Sequence, residues 1–175
     1  MIRTAHTYEL DAATLAAARA LLVAAFPGEL TDDDWDHGLG GIHALAYADG
    51  ELVGHASVVQ RRFLYGGRAL RTGYVEGVAV RAEQRRSGHG AAMMAALERV
   101  VGGAYELGAL AATDDGAALY AARGWRRWEG ELHALTPDGL RRTPAEEGNV
   151  FVLEAGVPLD LGGRLTCDWR DGDLW

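Results

Sequence analysis

A chain of 175 residues with a formal net charge of −8 is long enough for one domain, expected to span residues 1–175, and its acidity disfavours nucleic acid while favouring a cationic partner. All 17 basic residues are Arg, and without Lys the P-loop kinases, Schiff-base enzymes and pyridoxal-phosphate enzymes are excluded. No apolar run approaches the roughly 20 residues of a membrane span, and Cys167 is the single cysteine, so a cytoplasmic protein with no membrane contact, no intramolecular disulfide and no metal is expected.

Thr4 to Leu10 reads as a first strand. Asp11 then caps a helix running to about Ala25, with Leu15, Ala18, Leu22 and Ala25 on one face and Pro27-Gly28 at its end. Thr31 and Asp34 form a capping-box pattern that opens a short helix stopping at Gly40-Gly41. Ile42 to Ala48, Glu51 to Tyr65 and Arg68 to Val80 read as an antiparallel meander, joined by Asp49-Gly50 and Gly66-Gly67, which supply the positive φ angles of tight hairpins. A helix from Gly90 to about Val101 follows, ended by Gly102-Gly103, then a buried strand from Tyr105 to Ala111 and a helix from Asp114 to Arg123 stopped by Gly124. Trp125 to Leu135 and Val150 to Ala155 are the closing strands, and Thr136 to Gly148 reads as a long functional loop. The pattern predicts an α+β domain with a mixed, mostly antiparallel sheet of about seven strands flanked by about four helices.

Chemistry concentrates where the strand Val75-Glu76-Gly77-Val78-Ala79-Val80 delivers the loop Arg85-Arg86-Ser87-Gly88-His89-Gly90 to a helix start. Free backbone N–H groups and a favourable dipole meet there, so a pyrophosphate can be held largely by main chain. Ser57 and Ser87 are the only serines, neither lies in G-x-S-x-G, and the six histidines show no H-E-x-x-H spacing, which removes those hydrolase and zinc-protease readings. Further along stands Leu119-Tyr120-Ala121-Ala122-Arg123-Gly124-Trp125.

These two segments together resemble the signatures of the GNAT N-acetyltransferase superfamily: Arg or Gln, two residues, Gly, one residue, Gly or Ala; and Tyr-x-x-x-Gly followed by an aromatic. The resemblance implies the GNAT acyltransferase fold, with acetyl-CoA as cosubstrate held by Val78, Ala79, Val80, Arg85, Arg86, Ser87, Gly88, His89 and Gly90. It also implies that the Val78 and Val80 N–H groups bond the acetyl and pantetheine carbonyls while Tyr120 protonates the departing thiolate. Glu76 shares a strand face with Val78 and Val80, where its carboxylate could accept an ammonium proton directly or through water, or anchor the reacting ammonium. Gly77 beside it points to a bulge or close backbone approach.

Thr31 to Trp35, Gly40 to Leu45, Gly73 to Val80 and Cys167 to Trp175 are similar, beyond the superfamily, to the aminoglycoside 2'-N-acetyltransferases. That similarity implies a polycationic sugar bound by Glu29, Asp34, Glu76, the Gly77 carbonyl, Glu146, Asp173 and the Trp175 carboxylate, and a homodimer. Ala111 stands where that family can offer a small hydroxyl to the drug. Two other readings stay open at this point: a GNAT enzyme acting on a different cationic amine, and a non-catalytic protein that binds coenzyme A or a drug.

Overall fold

The computed structural model describes residues 1–175 and contains ten strands and four α-helices. In chain order these are β1 (Ile2–His6), α1 (Ala12–Ala25), α2 (Asp32–His37), β2 (Ile42–Ala48), β3 (Glu51–Tyr65), β4 (Arg68–Val80), α3 (His89–Ala104), β5 (Leu107–Ala111), α4 (Asp114–Ala122), β6 (Arg126–Arg127), β7 (Leu132–Thr136), β8 (Gly139–Arg142), β9 (Val150–Glu154) and β10 (Leu165–Cys167). No helix is long and apolar enough to cross a membrane. The chain divides into two compact units, Met1–Val59 with Val75–Arg99, and Gln60–Tyr74 with Val100–Trp175, so β3, β4 and α3 each run from one unit into the other.

In the first unit, β1, β2 and the first part of β3 form an antiparallel sheet. The Asp11 carboxylate accepts from Thr14 N–H at 2.7 Å and starts α1, as the sequence predicts. Thr31 and Asp34 close the reciprocal box at the start of α2. Ala18, Leu21 and Leu22 of α1 pack with Ala5, Leu45, Leu52 and Ala79 in the core of this unit, with Trp35 and Tyr47 against it. The first strand is shorter than expected: Thr7–Glu9 turn as a 3-10 helix because the His6 ring accepts from Tyr8 N–H and the Glu9 carboxylate from His6 N–H.

The second unit holds the strand order β6-β9-β5-β4-β3-β10-β7-β8, in which β4–β5 and β10–β7 are the parallel pairs. Here the expected seven strands grow to ten for identifiable reasons. The single strand expected from Trp125 to Leu135 is split into β6 and β7, because Glu129 and Gly130 both donate to the Leu161 carbonyl, at 3.0 and 2.8 Å, and divert the chain. The expected loop contains β8, which turns back on β7 through Gly139 at φ 113° and carries no buried side chain to announce it. β10 is three residues long, too short for a visible alternation, and is pinned by pairing with both β7 and β3. α3 also runs past its expected stop: Tyr105 N–H reaches Val101 O at 3.0 Å, so Gly102 and Gly103 stay helical.

Two buried histidines cross the sheet of the first unit. His43 on β2 and His55 on β3 lie on a diagonal of the ladder, since Leu45 faces His55 and His43 faces Ser57. Their Nδ1 and Nε2 atoms are 2.9 Å apart. Burial holds both rings neutral, with pKa values lowered to about 4.

Two stability experiments follow from these contacts. At Gly41 an added Cβ would sit 2.2 Å from the Val58 carbonyl oxygen, whereas at Gly102 it meets open space. Gly41→Ala is therefore expected to cost on the order of 2–4 kcal/mol in urea unfolding, and Gly102→Ala to gain about 0.5–1 kcal/mol. The histidine pair gives a pH window. Each ring binds its proton more weakly folded than unfolded, so its stabilising contribution is complete above the unfolded pKa of 6.5 and is lost as pH falls towards about 4. Urea midpoints are expected to drop through that window, and the drop to be shallower in His43→Asn.

Candidate active site

β4 loses its β5 partner before the chemistry begins. The parallel ladder contains three pairs, the last being Tyr74 with Ala109, and Val75–Val80 lie outside it. Gly77 then takes φ 57°, a left-handed conformation where a Cβ would fall 3.1 Å from Leu22 Cδ1, so only glycine fits without strain. Of the bulge or close approach expected at this glycine, the structure shows a close approach, to Leu22, at a left-handed turn of the backbone. Arg81 N–H donates to Val53 O at 2.8 Å, and because successive N–H groups of a strand point to opposite sides, those of Val80 and Val78 face away from β3.

Glu76 is half-buried and lies beside the end of α2, where a Cβ built on Gly38 would be 4.0 Å from the Glu76 Cβ. Asp34 is on the same short helix, also half-buried, and spends its Oδ2 on the Thr31 cap, at 2.8 Å from both the backbone N and Oγ1. Glu29 is exposed on the turn that follows α1. The Gly77 carbonyl oxygen, expected to face the sugar, lies 3.0 Å from His55 Nδ1.

After β4 the chain makes a 3-10 turn at Ala82–Gln84 and enters the glycine loop. Arg86 has φ 60° and Gly88 φ 82°, while Ser87 between them is not left-handed, an alternation that turns successive N–H groups to one side. Gly88 O accepts from Ala92 N–H at 2.9 Å, so the loop feeds directly into α3, which begins at His89 rather than Gly90. The N–H groups of the first turn have no acceptor within the helix. Arg85, Arg86 and Ser87 are exposed, and a cleft of about 560 Å³ lies beside them, lined by Ala17, Leu21, Leu52, Val80, Arg81 and Arg85. Exposed guanidinium groups, free amides and a helix N-terminus suit a phosphate-bearing ligand.

The second unit carries the other expected residues. Tyr120 on α4 is buried against Trp125 and Phe151, with ring centroids 6.4 and 6.2 Å away. Desolvation pushes its pKa up to about 12, so the hydroxyl keeps its proton near neutral pH. Ala111 is exposed at the end of β5.

Glu146, Asp173 and Trp175 converge. The Trp175 Nε1–H donates to Thr143 Oγ1 at 2.9 Å, and its ring meets Phe63 edge-on at 5.2 Å. Glu146 follows Thr143 on a 3-10 turn, and its carboxyl pKa is raised by burial and then by the charge of Asp173. Two acids that repel each other make a place that a cation would relieve.

What organises this corner is a residue that sequence reasoning missed. Arg61 is only 4% exposed; its Nε donates to Asp168 Oδ1 at 2.8 Å, its Nη2 to Asp168 O at 2.9 Å and its Nη1 to Leu174 O at 2.8 Å. Its guanidinium also stands over the rings of Phe63 and Tyr74, 5.2 and 4.8 Å from their centroids. Arg170 adds bonds to the main-chain oxygens of Asp173 and Trp175, at 2.6 and 3.2 Å. The available signal was strand parity: Val59, Arg61 and Phe63 point inward while Gln60 and Arg62 are exposed.

Comparison with known proteins places the fold and the family. Residues 6–128 match the acetyltransferase (GNAT) domain family. The chain is 49% identical over 177 aligned positions, 99% of its length and 91% of the other protein, to an aminoglycoside 2'-N-acetyltransferase of Mycolicibacterium fortuitum. Among solved structures, the GNAT family N-acetyltransferase YhbS from Escherichia coli in complex with CoA superposes with a TM-score of 0.66 at 18% identity, covering 95% of this chain and 88% of that one. A GNAT family acetyltransferase from Brucella melitensis in complex with acetyl-CoA gives 0.61 at 15% identity, covering 94% of each.

The buried guanidinium supplies a test. Asp168→Asn removes the carboxylate that neutralises Arg61, and breaking such a pair from one side is expected to cost about 3 kcal/mol in urea unfolding. An unchanged midpoint would mean that the carbonyls of Asp168 and Leu174 satisfy Arg61 alone.

Proposed function

The chain belongs to the GNAT acetyltransferases and, within them, to the aminoglycoside 2'-N-acetyltransferase family, and from that premise we propose that it moves the acetyl group of acetyl-CoA to the 2'-amine of aminoglycosides. The full-length likeness to the Mycolicibacterium fortuitum enzyme is the observation that carries this reading. The alternating φ signs at Arg86, Ser87 and Gly88 support the cofactor part, because they make a main-chain cradle that a pyrophosphate fits.

When bound, acetyl-CoA supplies the activated acetyl group. In this reading its pyrophosphate is held by Arg85, Arg86, Ser87, Gly88, His89 and Gly90, and the N–H groups of Val78 and Val80 take its acetyl and pantetheine carbonyls, with Ala79 between them. Glu76 receives the ammonium proton or anchors the amine. The free amine attacks the thioester carbonyl, the carbon–sulfur bond breaks as the Tyr120 hydroxyl delivers its proton to the leaving sulfur, and the proton then lost from the amide nitrogen returns to the tyrosinate, directly or through solvent. A pKa raised to about 12 keeps the proton on Tyr120 and disqualifies it as a base at neutral pH.

The polycationic sugar is assigned to Glu29, Asp34, Glu76, Glu146, Asp173 and Trp175. The mutual repulsion of Glu146 and Asp173 supports a cation between or beside them. Ala111 offers no hydroxyl, so any hydrogen bond that relatives make there is missing. The Gly77 carbonyl accepts from His55 through one lone pair, and in this reading its second lone pair is assigned to the sugar.

Acetyl-CoA turnover, measured with pairs of aminoglycosides that differ only in bearing an amine or a hydroxyl at 2', is expected with the amine alone. Equal rates on both members would move the reaction to another amine. Tyr120→Phe is expected to slow the single-turnover step by roughly ten- to a thousandfold with little change in drug affinity.

A further inference from the structure

The two buried histidines belong to a longer hydrogen-bonded series, and the proton on each link can be assigned by exclusion. The Gly77 carbonyl can only accept, so the contact of 3.0 Å from His55 Nδ1 requires the proton on Nδ1. A neutral His55 then has a lone pair on Nε2. The His43 Nδ1 that lies 2.9 Å from it must carry the next proton. A neutral His43 likewise presents a lone pair at Nε2, which is filled by the Thr7 hydroxyl at 2.8 Å.

Thr7 Oγ1 in turn accepts the Gly40 N–H at 2.8 Å, and its weaker neighbour, the Gly41 carbonyl at 3.3 Å, is left without that proton. The result is one polarised chain, all within the first unit, running from Gly40 N–H through Thr7, His43 and His55 to the Gly77 carbonyl. Every buried nitrogen in it is satisfied, and successive bonds of this kind strengthen one another.

The chain ends on the peptide that joins Gly77 to Val78. A trans peptide is planar, with its C=O and N–H antiparallel, so gripping the Gly77 oxygen on the His55 side turns the Val78 N–H the opposite way. The strand alternation counted back from Arg81 gives the same direction independently.

We propose that Thr7, His43 and His55 are a positioning relay that holds the Gly77–Val78 peptide with its N–H presented to the thioester carbonyl. The proposal rests on the acetyl-transfer reading for the identity of that carbonyl. A left-handed glycine has no Cβ to restrict its backbone, and it is the place that the relay pins. A donor aimed at developing charge is effective in proportion to how little it must reorganise.

The relay makes a claim about the resting protein that needs no substrate. Long-range proton–nitrogen spectra of histidine-labelled protein at pH 7 are expected to show both His43 and His55 protonated on Nδ1 and unprotonated on Nε2, assigned with single-site variants. A proton on Nε2 of either ring, or a charged ring, would overturn the assignment. The kinetic arm separates positioning from simple packing. His55→Leu removes the grip on Gly77, whereas in His55→Asn the side-chain amide takes over the place of Nδ1–H.

His55→Leu is expected to lower kcat on the order of ten- to a hundredfold, with the acetyl-CoA Kd and the aminoglycoside KM within about threefold of the parent, and His55→Asn to recover most of the loss. Thr7→Val is expected to lower kcat more mildly and Thr7→Ser to restore it. A fall in KM-related terms alone, or no rescue by Asn in a protein of parental urea stability, would reduce the relay to packing. If the parent itself fails to acetylate aminoglycosides, the substrate reading is lost while the nitrogen spectra still decide the relay.

Discussion

The left-handed kink at Gly77 is the constraint on which the first unit turns. With φ at 57°, β4 cannot pass straight through this residue, and any side chain there would be strained by the left-handed backbone and pressed against Leu22 at 3.1 Å. That single dihedral sets three things at once. The Gly77 oxygen turns inward to His55, the Val78 N–H turns outward, and Glu76 is left beside the end of α2. A strand that kept its regular pleat would give its amides to a neighbouring ladder and have none to spare for a substrate.

Electrostatics are arranged differently in the two units. In the first, the two buried histidines are neutral and donate in sequence, His43 to His55 and His55 to Gly77, which avoids the desolvation cost of an ion. In the second, a full charge is buried: Arg61 is neutralised by Asp168 and spread over Phe63 and Tyr74. At Glu146 and Asp173, by contrast, two acids lie close enough that the charge of Asp173 adds to burial in raising the Glu146 carboxyl pKa.

Much of this was legible in the residues and some was not, for physical reasons. Caps and hairpins are local, so Asp11, Thr31 with Asp34, Asp49-Gly50 and Gly66-Gly67 announced themselves correctly. The glycine loop was readable because only its spacing mattered. β8 was hidden by a fully exposed sequence with no alternation, and β10 by its length of three residues. Gly102-Gly103 looked like a stop, but the bond from Tyr105 N–H to Val101 O carries the helix through both glycines. Strand parity turns Arg61 inward, but the groups that satisfy it, and those that end the histidine pair at Thr7 and Gly77, lie elsewhere along the chain; a buried polar residue declares itself only through the group that satisfies it.

Arg61 also imposes a timetable on synthesis. Its partners Asp168 and Leu174 are 107 and 113 residues downstream. At about 5–20 residues per second, a ribosome needs roughly 5–20 s to reach them after Arg61 has been made. Throughout that interval the guanidinium has no carboxylate to accompany it into an apolar interior, so water remains its cheapest environment and β3 cannot close over it. The corner that gathers Glu146, Asp173 and Trp175 is therefore the last part of the second unit to acquire its shape. A nascent chain halted before Asp168 would hold a solvated cation where the finished protein has a sealed one.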